Sequence, residues 1–138
     1  MRKLKRIMAK TKVTKPKKIK KPVLIEVKTE AKFLPISERK MRLVIDQIKD
    51  QTPIKALLTL KFFNKKAAKF LGKAIKTAIA DAENNFQLDK EALVFKEIKA
   101  NLGPGLKRRD VYHGARFNGG LIKKARTHLV IRLVGEKI

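Results

Sequence analysis

Cysteine is missing from all 138 residues. Disulfides, thiolate zinc sites and cysteine nucleophiles are thereby excluded, and the usage suits a reducing compartment. Acids are scarce: 12 Asp and Glu stand against 36 Lys and Arg, a formal net charge of +24. Self-repulsion at that charge opposes compactness, so a polyanionic partner is its simplest explanation. Nucleic acid is the first candidate and an anionic membrane surface the second. Long apolar runs are also missing. None approaches the roughly 20 residues of a membrane span. The N-terminus lacks the apolar core of a secretory signal, and its first 22 residues have Lys in excess and no Ser, unlike a mitochondrial presequence. These absences predict a soluble, intracellular protein with no membrane partner. What is present is a hydrophobic fraction of 43%, enough for a core, and a length that suggests one domain with an appendage.

The appendage is at the start. Residues 1–22 hold eleven cations, from Arg2 to Lys21, and no acid, with Pro16 and Pro22 as punctuation. Such a block cannot bury enough apolar surface to fold alone. It reads as a basic, extended arm that orders on nucleic acid, the alternative being a solubilising tail. Residues 23–138 then read as a single α+β domain.

"VLIEVKTEAKF" alternates strictly, with Val23, Ile25, Val27, Thr29, Ala31 and Phe33 on one side. Period two over this length predicts a half-buried strand, which Pro35 stops. Ser37 is a natural N-cap for a helix whose Met41, Val44, Ile45 and Ile48 share one face. Thr52 caps a second helix with Pro53 at its first position. Ile54, Leu57, Leu58, Phe62 and Phe63 are its expected apolar face. Asn64 is the expected cap of a third, longest helix. Its stripe is Ala67, Leu71, Ala74, Ala78 and Ala82, with Ile75 and Ile79 beside it. Lysines in its N-terminal half, Lys65, Lys66, Lys69, Lys73 and Lys76, form either a solvated face or a phosphate-facing ridge. From Leu93 the chain turns to β character, with Val94, Ile98, Ala100 and Leu102 on one face of one strand and Leu129, Ile131 and Leu133 on one face of the last.

Between these strands lies "KRRDVYHGARFNGGLIKK", Lys107 to Lys124. Gly114 and Gly119 have P-loop spacing, but Gly120 and Leu121 stand where the lysine and hydroxyl belong. Gly103 and Gly105 begin a dinucleotide fingerprint, but Arg108 occupies the third glycine's place. His113 and His128 have no spacing that supports an acid–base pair. Asp46 and Asp50 share a helical face without a further ligand, so no metal, cofactor or catalytic residue is expected.

Length decides the reading. An arm of residues 94–115 would span roughly 70 Å if extended. A domain of about 100 residues is on the order of 35 Å across. The hairpin must therefore project, at about residues 103–126. This segment carries Lys107, Arg108, Arg109, Arg116, Lys123, Lys124 and Arg126 against a single acid, Asp110. An isolated two-stranded ribbon is marginal in water, so a partner must hold it. Arg offers forked contacts to phosphate and Lys a point charge. Tyr112, His113 and Phe117 mark the tip. Tyr112 and Phe117 either stack on unpaired bases or pack across the ribbon.

The ordered set of motifs resembles the bacterial-type large-subunit ribosomal protein L twenty-two family, over roughly residues 23–134. "ISERKMRLVIDQIKD" looks like the family's first-helix motif and places Arg39, Lys40 and Arg42 in it. "NKKAA", with Lys65 and Lys66, and "AIADAENN" are similar to the ends of its long helix. "GPGLKR" and "KKARTHL" resemble the hairpin's entry and exit. The resemblance implies three helices packed on a small antiparallel sheet with a long projecting hairpin. It implies a structural component, not an enzyme, seated on 23S-type large-subunit rRNA in the cytoplasm or an organelle. It also implies a hairpin lining the nascent-peptide exit tunnel, beside ribosomal protein L four, and a globular part near the tunnel exit. The tip departs from the family. "YHGARFNGG" replaces a Pro-Arg-Ala-x-Gly-Arg type sequence, and the hairpin is about two residues longer. Competing readings are a DNA-architectural protein with a basic β-ribbon and a small RNA-processing enzyme.

Overall fold

The computed structural model describes residues 24–111 and 119–137. The basic arm and the tip residues Tyr112, His113, Arg116 and Phe117 lie outside the described residues. The described chain runs β1 (Leu24–Leu34), α1 (Glu38–Ile48), α2 (Pro53–Phe62), α3 (Lys66–Phe86), β2 (Val94–Asp110) and β3 (Gly120–Glu136). The strands form one antiparallel sheet in the order β1-β3-β2. The three helices pack on one face of it, the α+β arrangement expected.

The core follows the helical periodicities closely. Met41, Val44, Ile45 and Ile48 of α1 are buried, as are Ala67, Leu71, Ala74, Ile75, Ala78 and Ala82 of α3. Against them the sheet presents Val27, Ala100, Leu129, Ile131 and Leu133. The alanine stripe lets α3 lie close to β1, where Thr29 Oγ1 donates to Asp81 across 3.0 Å. A left-handed Gln87, φ 54°, ends α3.

Four expectations need correction. The cap position of α3 is Lys65, not Asn64, and the helix starts at Lys66. The apolar side of β1 does not continue to Phe33. A register shift between Ala31 and Leu34, with Phe33 at φ 57°, puts Phe33 half out in solvent and pairs Leu34 with Thr127. In β2, a second shift between Phe95 and Glu97 changes the parity. Phe95, Ile98 and Ala100 therefore sit opposite Leu133, Ile131 and Leu129, while Val94 turns to the other face. Leu102 keeps the parity but is exposed. Finally, α2 buries Pro53, Ala56 and Leu60, with Leu57 and Phe63 partly covered. Ile54, Leu58 and Phe62 face outward.

Strands β2 and β3 stay paired out to Asp110 opposite Gly120. Residues 104–109 and 120–125 are all exposed, so no helix covers this part. From Gly103 to Asp110 the ribbon extends roughly 25 Å past the helical layer at about 3.3 Å per residue. Gly119 sits where a Cβ would come within 2.6 Å of the Asp110 carbonyl oxygen, so the two chains approach too closely for a side chain there.

Candidate nucleic-acid interface

Two helix starts meet where the ribbon leaves the sheet. After β1 the chain folds tightly, Ile36 N–H donating to the Leu34 carbonyl at 2.8 Å. Ile36 is buried, and its own carbonyl accepts from Thr127 Oγ1 at 2.6 Å. Thr127 is fully buried in β3. This bond ties the turn before α1 to the base of the hairpin. A similar turn, Lys65 N–H to the Phe63 carbonyl at 2.8 Å, redirects the chain from α2 into α3. Neither Ser37 nor Lys65 caps its helix with a side-chain hydrogen bond. First-turn amides have no partner inside a helix, and they carry the positive end of its dipole.

A groove of about 720 Å³ lies between these two starts and β3. Pro35, Ile36, Leu43, Ala67 and Ala125 give it an apolar floor; Ser37, Lys40, Lys65, Lys66 and Lys123 complete the lining. Four lysines, from α1, the start of α3 and β3, thus line it, with no acid among the lining residues. Lys123 reaches the groove because β3 is regular. It shares the helix-facing side of the strand with Ala125, Thr127 and Leu129.

The ribbon continues this character. Lys107 lies directly opposite Lys123, and Leu106 opposite Lys124. Like charges in direct cross-strand register are destabilising unless something anionic lies over them. Arg108 pairs with Ile122 and Arg109 with Leu121 in register. Alternation therefore places Lys107, Arg109 and Lys123 on one face and Arg108 and Lys124 on the other. A ribbon cationic on both faces suits a partner that surrounds it. Arg126, opposite Gly103, is half-buried at the ribbon's base.

The remaining predicted contacts are placed differently. Arg42 turns away from the groove. Its Nε and one terminal nitrogen each lie 3.3 Å from the Ala100 carbonyl, and that same terminal nitrogen lies 3.3 Å from Glu38 Oε2. It fastens α1 to β2. Arg39, Lys69, Lys73 and Lys76 are exposed on their helices and do not line the groove. His128 accepts the Phe33 backbone N–H at Nδ1, 3.1 Å, and their rings meet edge to face at 4.8 Å. The histidine thus helps hold the β1 bulge.

The sheet face opposite the helices contrasts with the groove. Glu26 is held by Lys96 and lies 3.5 Å from Arg132, Glu30 is paired with Lys28, and Glu97 with Lys99. Arg132 Nε also lies 3.4 Å from Glu97, an ion-pair distance without an aligned hydrogen bond. Hydrogen bonds from Lys96, Lys28 and Lys99 respectively hold these three carboxyls below their ordinary value of 4.5. The cations of this face are ion-paired within the chain, whereas the groove lysines have no acid among the lining residues.

The family model described as ribosomal protein L22p/L17e matches residues 29–134. A protein of Fusobacterium nucleatum named large ribosomal subunit protein uL22 is 38% identical over 113 residues, covering 82% of this chain and 100% of the relative. Proteins of the same name from Rubrobacter xylanophilus and Caldicellulosiruptor saccharolyticus are 41% and 43% identical, covering 75% and 74% of this chain and 80% and 82% of the relatives. The matched span holds the groove, the ribbon and the whole helical layer. The chain belongs to the ribosomal protein L22p/L17e family.

Proposed function

We propose that the protein is a structural constituent of the large ribosomal subunit that binds and organises 23S-type rRNA. The observation that carries this reading is the convergence of Lys40, Lys65, Lys66 and Lys123 on one acid-free groove at the root of a ribbon cationic on both faces. The lysines displace the counterions condensed on the RNA phosphates, which approach the two helix starts that lack side-chain caps. These contacts position the domain and carry no base sequence information. The small domain then fixes the direction in which the ribbon leaves.

Arg108, Arg109, Lys107 and Lys124 hold RNA along the ribbon, with Arg116 continuing the series toward the tip and Arg126 at its root. Arg39 extends the contact over α1. In this reading the ribbon lines the nascent-peptide exit tunnel beside ribosomal protein L four. Tyr112, His113 and Phe117 sit at its inner end, and the helices lie near the tunnel exit. The basic arm of residues 1–22 orders on the same RNA. The role is assembly and support in the cytoplasm, without catalysis or cofactor.

Sedimentation through a moderate-salt wash tests the assignment. The protein should travel with large subunits. Recovery with DNA and absence from subunits would replace this reading with a DNA-architectural one. RNA cleavage dependent on His113 and His128 would replace it with an enzyme.

A further inference from the structure

Phe62 is the most exposed large hydrophobic residue described, at 89%. Leaving a phenyl ring in water forgoes the favourable free energy of burying it. The fold leaves it there by construction. Helix α2 turns Pro53, Ala56 and Leu60 inward, and Phe63 leaves the helix with ψ 112° to pack against the core. Phe62, one position earlier, ends on the outside, with Leu58 one turn before it at 52% exposure. The Phe63–Lys65 turn then brings the chain straight to Lys65 and Lys66 of the groove.

Charge indicates what covers this ring. From Gln51 to Ala80 there is no acid, while Lys55, Lys61, Lys65, Lys66, Lys69 and two further lysines are present. A protein surface meeting the ring would have to accept this one-signed surround. An RNA strand supplies a π-face and phosphates together. An exposed aromatic flanked by cations is the composition that binds unpaired bases.

We propose that Phe62 is a stacking platform for an unpaired RNA base whose flanking phosphates lie on Lys61, Lys65 and Lys66. This rests on the rRNA-binding reading above and adds a base contact to it. The base stacks on the ring while Leu58 borders its edge. The groove lysines bind duplex or single strand alike; Phe62 selects a place where a base is splayed out.

The chain has no tryptophan. Phe62→Trp therefore installs a single indole reporter at the platform. The full-length variant is titrated with deproteinised large-subunit rRNA and, separately, with a perfect RNA duplex. Saturable quenching by rRNA and little by duplex is expected. Phe62→Leu should keep the wild-type circular dichroism, since the site is outside the core, and bind rRNA roughly fivefold to a hundredfold more weakly, the range of one base–aromatic stack. Equal rRNA affinity of Phe62→Leu and wild type, or an unquenched indole on bound protein, overturns the platform while leaving the rRNA reading intact. Failure of the wild type itself to bind rRNA overturns both. An indole that responds to the mixed large-subunit proteins and not to rRNA would show that the occupant is protein, and would also overturn the proposal.

Discussion

Single residues at the root of the ribbon do the positioning. Among the described residues Thr127 is the buried polar one, and its hydroxyl makes the 2.6 Å bond to the Ile36 carbonyl. Thr127→Val keeps the shape and orphans that carbonyl. Unfolding in urea should show a loss of roughly 1–3 kcal/mol, the cost of an unsatisfied buried acceptor. An unchanged midpoint would show that the turn before α1 holds without it. Thr127 is a residue that sequence patterning does not single out. It sits at an inward position of an alternating strand, where only the partner carbonyl explains a hydroxyl. The outward placement of Phe62 is hidden in the sequence for a related reason. Apolar spacing alone does not distinguish Ile54, Leu58 and Phe62 from the Pro53, Ala56 and Leu60 face that the small Ala56 allows to pack.

Among the elements, helices α1 and α3 were legible almost residue for residue, because their buried faces repeat with the helical period. The strands were legible in location but not in parity. Both misplacements, Phe33 and Val94, follow from register shifts, and a bulge reverses a side chain without a composition signal. The groove was legible only in pieces. Lys40, Lys65, Lys66 and Lys123 were each recognisable as basic, but only the tertiary packing of two helix starts on β3 brings them together.

The elements also predict opposite electrostatic responses. On the outer sheet face, Glu26, Glu30 and Glu97 have folded values below the unfolded 4.5. Their contribution is present above that value and is lost as pH falls through the lower, folded ones. Urea midpoints followed from neutral pH down through 4.5 should fall, and less steeply in a variant with all three changed to Gln. The three carboxylates are exposed, so the effect should shrink in high salt. Equal pH profiles for the two proteins would show that these pairs do not differ between folded and unfolded chains. In the ribbon, Lys123→Gln removes the like-charge opposition to Lys107. It should not destabilise the free protein, yet it should weaken rRNA binding and lower the slope of log affinity against log salt by about 0.7–0.9. An unchanged slope would remove Lys123 from the phosphate contacts.

For the whole molecule, the core and the ribbon are separable in principle. The core is built from the helices, β1 and the inner ends of β2 and β3. Deleting residues 109–123 should therefore leave one cooperative unfolding transition, and its loss would show that the ribbon belongs to the core. Among the described residues, the fold sorts charge onto two unlike surfaces. The helix-and-ribbon side is acid-free at its groove, and the outer sheet side is ion-paired within itself. Under the proposed function, that asymmetry determines which side of the protein faces RNA. Lysine-reactive labelling tests it, with rates compared between the free protein and the protein in assembled large subunits. Lys40, Lys65, Lys66 and Lys123 should be strongly protected, and labelling of Lys28, Lys32, Lys96 and Lys99 should change far less. Protection of the outer sheet lysines with the groove lysines left reactive would contradict it.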